Sequence, residues 1–332
     1  MSGAAKTQGA GRPTTVATAR ALFRDRPLIP IIGLLAILVV VIGIVQPDNI
    51  NPGWVGVTLR AAIPLSILAA CQTLTFLTGG IDLSVGAVAS MSGFMVATLV
   101  GHQGLWVALL VPLLIAAIAG AVTGVGVGVF RVHPLIMTLG MSLVVLGLAN
   151  VWQLIMVQTG AGVPSELRWL GSGTTAGGVL PNSLLLFVPL AALILFLLRK
   201  TGYGRLLYAV GDNPIASRLS GVRAWQVLIV LYALSAVLAA IAGFLYSGLT
   251  NVASVSLVDS AVLPSVAAAV IGGTSIMGGR GGYAGTLVGA LILTVLTSLL
   301  SSLGYPEAVR QILFGSIIVA VAAAYTRVTA ES

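Results

Sequence analysis

The sequence predicts an all-α polytopic membrane protein with about ten transmembrane helices and both termini cytoplasmic. Three observations carry that reading. Of 332 residues, 58% are hydrophobic and only 7% charged, whereas a soluble domain carries about 25% charge to keep its surface wet. Apolar runs recur along most of the chain near the roughly 20 residues a helix needs to cross hydrocarbon. The basic residues fall unequally between alternate loops. Sixteen bases and eight acids cannot cover a water-soluble globule of this length.

Taken in order, residues 1–26 form a polar, positively charged tail and residues 27–328 a single membrane domain. The candidate spans are 28–46, 55–77, 83–100, 104–130, 134–157, 183–198, 224–249, 261–277, 283–303 and 308–326. The sixth and eighth are short, so either can be tilted or re-entrant. The first follows a basic tail, yet it is longer than a signal-peptide core and no small-x-small cleavage pattern follows it. It reads as a retained helix.

Orientation follows from Lys and Arg, which cytoplasmic loops retain. An inward N-terminus puts Lys6, Arg12, Arg20, Arg24, Arg26, Arg131, Arg199, Lys200, Arg205, Arg218, Arg223, Arg280 and Arg327 inside, and only Arg60, Arg168 and Arg310 outside. That division explains the net charge of +8 without nucleic acid, for which no aromatic-interleaved basic patch exists. Gly120, Gly124 and Gly128 repeat every fourth residue, as do Gly281, Gly285 and Gly289, a spacing that admits a neighbouring helix close to the backbone. Packing within one subunit is the plainer use of both stripes, and a subunit interface the alternative.

Enzyme chemistry finds little footing. A phosphate-binding loop needs Gly-Lys followed by Ser or Thr, but Ala5 and Arg199 precede Lys6 and Lys200, the two lysines. His102 and His133 stand apart from any metal-ligand spacing, and Cys71, the single cysteine, excludes an intrachain disulfide and reads as a small core residue.

The stretch FLTGGIDLSVG (76–86) is the exception in an apolar chain. Gly79 and Gly80 permit a break in helical geometry, and Asp82 or Ser84 can cap the helix that restarts there. The same residues, with Gly86, are candidates to line a translocation pathway, since discontinuous helices in membranes survive against protein or a wet cavity. Capping and lining are compatible. Gln72, Thr75, Asn150 and Gln153 are further lining candidates, with interhelical hydrogen bonding the competing use. A second glycine-rich stretch, VIGGTSIMGGRGG (270–282), loosely echoes the first.

Residues 199–223 form the one long cytoplasmic loop. Asp212 or Asn213 can cap a short helix with Pro214 at its first position, and Gly221 would stop it. Such a helix can dock into a partner's groove or lie on lipid headgroups.

Three motifs change the weights. LTGGIDLSVGAVASMSG, GYGRLLYAVGDNPIASRLSGV and AAAVIGGTSIMGGRGGYAGTLVGALI resemble, in the same order, the signatures of bacterial ABC importer permeases of the ribose, xylose, arabinose and galactose type. The resemblance implies the permease subunit of an ATP-driven monosaccharide importer in the bacterial inner membrane. It implies a dimer of permease chains (two copies, or one with a paralogue), an extracytoplasmic sugar-binding protein, and a separate ABC ATPase subunit, commonly tandem-domain, that holds ATP and Mg. This chain would hold no cofactor of its own. The segment 204–221 becomes the ATPase-coupling region, with Arg205, Asp212, Asn213, Ala216, Arg218 and Gly221 matching the family pattern. Asp82 and Ser84 become lining or gating residues. Asp259 stands in SLVDSAVLPSVAAAVIGG, where many relatives carry an additional Glu in a Glu-Leu-Asp-Ala-Ile pattern, and that departure leaves the sugar open. The alternative from composition is an ion-coupled secondary sugar transporter. It wants ionisable groups at the membrane midplane, whereas Asp82 and Asp259 are expected near span ends.

Overall fold

A computed structural model describes residues 28–47, 50–156 and 162–330, the last ten by backbone alone. The basic tail, with Lys6, Arg12, Arg20, Arg24 and Arg26, lies outside the described residues. The helices are α1 (Leu28–Val45), α2 (Pro52–Leu77), α3 (Val85–Gly128), α4 (Pro134–Met156), α5 (Ser165–Gly171), α6 (Leu184–Lys200), α7 (Gly202–Asp212), α8 (Pro214–Leu219), α9 (Ala224–Thr250), α10 (Val262–Ile271), α11 (Tyr283–Ser302) and α12 (Glu307–Ala330). Between α5 and α6, two-residue strands β1 (Thr174–Thr175) and β2 (Leu180–Pro181) pair antiparallel. The sequence reading missed this hairpin, α5 and α7. The hairpin and α5 are too short to leave an apolar period, whereas α7 carries one in Tyr203, Leu206, Leu207 and Val210 that the loop reading passed over.

A helix occupies each of the ten expected apolar runs, though not every one is long enough to cross. Among the described residues six helices are long and apolar enough to cross a membrane, and a seventh is reached only if α6 and α7, bent by 66° at their junction, are taken as one span. The 44 residues of α3 would extend about 66 Å, twice the hydrocarbon thickness of about 30 Å. They do not run straight. Gly104 has φ 75° and ψ 167°, a conformation that L side chains rarely adopt, and the chain reverses there. Gly93 packs on Ser247 and Ala89 on Gly243, so 85–103 runs parallel to α9, whereas Gly120 packs on Tyr232 and Ala236 and Gly128 on Trp225, so 105–128 runs against it. The two halves are antiparallel and correspond to the third and fourth expected spans.

The eighth run behaves differently. Helix α10 has ten residues, about 15 Å, or half of the core. Its remaining depth is filled by 251–261, which leaves the end of α9 and turns inward until the Val258 N–H reaches Ser90 Oγ at 2.9 Å. This is a re-entrant segment followed by a half-helix.

Helix α2 is the spine. It is buried from Ala62 to Leu77, packing on α9 to one side and on α10 and α11 to the other. Cys71 is fully buried within it, as expected of a small core residue. Both glycine stripes are used inside the subunit: Gly120 and Gly124 lie against the α9 backbone, and Gly285 and Gly289 against α10.

A candidate functional site at the break in the bundle

Helix α2 stops at Leu77 because Gly79 takes φ 75°; its last turn closes through Gly79 N–H to Phe76 O (2.9 Å) and Gly80 N–H to Thr75 O (3.0 Å). The chain then crosses residues 81–84 without helical bonds before α3 begins. Irregular backbone inside a bilayer persists only where protein satisfies its polar groups, and here the partners can be named. The Gln72 side chain donates to Asp82 O at 2.8 Å and accepts from Asp82 N at 3.4 Å. Thr138 Oγ1 donates to Ile81 O at 3.1 Å.

Asp82 is 2% exposed. Its Oδ1 accepts the Ser84 N–H at 3.0 Å and the Ser84 hydroxyl at 2.6 Å, and its Oδ2 accepts the Ser235 hydroxyl of α9 at 2.9 Å. The carboxyl group therefore closes the turn ahead of α3 and ties it to α9. Ser84 holds the cap position but its side chain makes no capping bond; it donates to Asp82 instead. The expected depth needs correction. Ser235 is the twelfth of the 27 residues of α9, about 17 Å along it, so Asp82 lies near mid-height of that helix rather than at a span end. Sequence periodicity marks where a helix stops, not how deep the stop is.

The other candidates separate. Gly80 lies against the Tyr232 hydroxyl, which a Cβ there would approach at 2.7 Å. Gly86 lies against Val262 and Asp259 at the head of α10, and Asp259 is exposed. Thr75 bonds back to its own helix, at Cys71 O (3.1 Å) and Gln72 O (3.2 Å). Asn150 and Gln153 are exposed on α4, whose buried face is Thr138, Met141, Val145 and Ala149, so they do not join this cluster. Five participants were missed: Thr138, Ser235, Tyr232, and the pair Thr73 and Thr286, bonded to each other across α2 and α11 at 2.7 Å. Hydroxyls three apart in the apolar run of α9, Tyr232 and Ser235, were the available signal.

The loop 199–223 folds as two helices. Asn213 caps α8, its Oδ1 accepting from Ile215 N (3.1 Å) and Ala216 N (2.9 Å), with Pro214 at the first position and Gly221 at φ 85° after the last turn. Arg205, Asp212, Ala216 and Arg218 are exposed, and Leu219 is 86% exposed at the tip. Helix α7 is seated on the break itself. Gly211 packs so closely on the Leu77 carbonyl that any Cβ would overlap it. The same carbonyl accepts Gly279 N–H at 3.0 Å, and Tyr208 Oη donates to Gly281 O at 2.9 Å. Burial pushes the Tyr208 phenol above its ordinary value of 10.0, with Arg199 pulling partly back, so the donor keeps its proton. One short helix thus touches both glycine-rich loops, the one ending α2 and the one following α10.

Comparison with known proteins gives concordant matches. Residues 55–322 match the family model described as branched-chain amino acid transport system / permease component. The ribose import permease protein RbsC of Escherichia coli (strain K12) is 35% identical over 86% of this chain and 89% of its own. The fructose import permease protein FrcC of Rhizobium meliloti is 35% identical over 79% and 74%, and RbsC of Bacillus subtilis (strain 168) is 33% identical over 87% and 89%. No solved structure matches the chain.

Proposed function

The chain belongs to the family of transport-system permease components, and from that premise we propose that it is the membrane-spanning subunit of an ATP-driven ABC importer for a monosaccharide or similar small polyol. The observation that carries the proposal is identity of about a third, sustained over most of both chains, to permeases named for ribose and fructose import. The family's description speaks of branched-chain amino acids, but the relatives matched over nearly full length are named for sugars. That favours a neutral, hydroxyl-rich substrate. A component of a multi-part system also accounts for a chain without its own nucleotide loop, and weighs against an ion-coupled carrier working alone.

The protein resides in the bacterial cytoplasmic membrane as a multi-pass subunit. We assign ten helical passes, the eighth made by the re-entrant 251–261 segment with α10, and both termini and the 199–223 loop to the cytoplasm. Its partners are a second permease chain, an extracytoplasmic sugar-binding protein and an ATPase of tandem-domain type carrying ATP and Mg. Helix α8 docks into that ATPase through Ile215 and Leu219, with Arg205, Asp212, Asn213, Ala216, Arg218 and Gly221 shaping the element. Closure of the ATPase moves α7, and α7 moves both loops it touches. The pathway runs past Gly79, Gly80, Asp82, Ser84, Gly86 and Asp259, and the substrate passes by alternating access without covalent chemistry.

The test is co-purification from the native membrane of the tagged wild type and Leu219→Glu. An ATPase that accompanies the wild type and is depleted from the variant is the expected result. No ATPase with either chain in several mild detergents would sink the importer reading and bring back the ion-coupled carrier, whose uptake stops when the proton gradient is collapsed.

A further inference from the structure

A cavity of about 340 Å³ opens beside α8, between the end of α3, the start of α4 and the start of α9. Arg131, Arg218 and Arg223 line it, together with Thr78 of the break and Tyr232 of α9. No carboxyl group among the described residues lines it. Among the described residues none of the three arginines is in an ion pair, in contrast with Arg310 on the opposite face, which pairs with Glu307 at 2.8 Å. Arg60, also on that face, donates to Ser172 O at 2.6 Å; of the three cavity arginines, Arg218 donates Nε to the Pro214 carbonyl of its own helix at 3.2 Å.

Inward-retained arginines need no cavity, so topology alone does not account for this arrangement. A further feature points to a ligand. The Tyr232 hydroxyl is buried, its residue 1% exposed, and it has no hydrogen-bond partner among the described residues; stranding such a group is unfavourable unless something fills the site. The N-terminal ends of α4 and α9, at Pro134 and Ala224, add positive potential at the rim.

We propose that this cavity binds a phosphate oxyanion, gripped by Arg131, Arg218 and Arg223 and hydrogen-bonded by Tyr232. Guanidinium forks match phosphate oxygens two at a time. Two sources share that chemistry. One is the headgroup of an anionic phospholipid, a common occupant of basic pockets between membrane helices on the cytoplasmic side; the exposed Trp225 beside the opening fits an interfacial position. The other is free phosphate. Either occupant would bind α8 to the starts of α4 and α9, so the docking helix and the helices behind it would be held together by the ligand.

The experiment uses the purified full chain in neutral detergent. Phosphatidylglycerol and phosphatidylcholine are titrated separately and adduct retention is read by native mass spectrometry, while inorganic phosphate is titrated against thermal stability. Wild type should retain phosphatidylglycerol over phosphatidylcholine, or be stabilised by inorganic phosphate; the first result assigns the lipid and the second the free anion. The double variant Arg131→Gln/Arg223→Gln should weaken the effective probe by roughly thirtyfold, from about 1 kcal/mol per basic residue. Tyr232→Phe, which keeps the ring and thus the packing, should weaken it about tenfold. Equal binding of the effective probe to wild type and Tyr232→Phe would overturn the proposal even if the double variant failed to fold. A wild type that neither prefers phosphatidylglycerol nor responds to phosphate would overturn it as well.

Discussion

Replacing Asp82 separates two jobs that the sequence alone leaves entangled: closing a turn and lining a path. Asp82→Ala removes three accepted hydrogen bonds, two from Ser84 and one from Ser235. The Ser84 hydroxyl can turn to another acceptor, but its N–H is fixed by the backbone and buried with a residue 4% exposed, and stranding it costs about 1–3 kcal/mol. The interhelical bond from Ser235 adds about 0.6 kcal/mol, the average for such bonds in a membrane bundle. Asp82→Ala should therefore cost about 3 kcal/mol. Asp82→Asn keeps an acceptor for Ser84 and offers an amide donor to Ser235, whose hydroxyl then accepts, so its cost should stay below about 1 kcal/mol. Ser235→Ala should cost about 0.6 kcal/mol. Unfolding in mixed micelles with increasing SDS, followed by tryptophan fluorescence, ranks the three. An Asn variant as damaged as the Ala variant would refute the acceptor argument, and an Ala variant as stable as wild type would mean the break is held by other contacts. If Asp82→Asn is stable yet fails to take up sugar, the carboxyl group has a role in the pathway beyond the turn.

Gly211→Ala pushes a methyl group into the Leu77 carbonyl, so α7 must lift from the break at a cost of about 1–3 kcal/mol. Uptake should fall while ATPase co-purification persists, because the Leu219 tip is untouched; parallel loss of both would mean the variant has unfolded. Asp259→Asn, at an exposed position, should leave detergent melting within about 0.5 kcal/mol of wild type and lower uptake; unchanged uptake removes Asp259 from the pathway. Tyr208→Phe deletes the bond to Gly281 at about 1 kcal/mol. Because the folded phenol titrates above its ordinary value of 10.0, its contribution is full below about pH 10 and is lost as pH rises through the raised value. The Phe variant should accordingly lose less stability than wild type on passing above pH 10 in an alkaline melting series.

The fold was legible wherever hydrophobicity was sustained, because a bilayer imposes one length and one secondary structure on a crossing. The reversal at Gly104 was legible for the same reason: two runs of crossing length met there, although the backbone hides the joint inside one continuous helical stretch. What composition could not supply was depth. Glycines around Asp82 announced a break, but only its partner Ser235 sets the break at mid-height. Asn150 and Gln153 illustrate the opposite failure, being polar residues in a span whose exposed face the sequence cannot orient. Helix α7 does carry an apolar period, in Tyr203, Leu206, Leu207 and Val210, but its seat on the break is a backbone-to-backbone contact at Gly211, which leaves no mark in the sequence.

One turn of α2 gathers the consequences of that arrangement. Cys71 Sγ meets Ser235 O at 3.2 Å, Gln72 brackets Asp82, and Thr73 meets Thr286 at 2.7 Å. Three successive residues hold α9, the break and α11 at a single level. If the α3–α9 group rocks against the α10–α11 group, this turn is the fulcrum, where displacement is smallest. Probes placed on α8 and on the far end of α9 would then swing in opposite senses, while a pair flanking Gln72 would report almost no change. Gln72 and Thr73 would in that case be an axle beside the pathway, and the widest excursions of that pathway would come farther out along the lever arms.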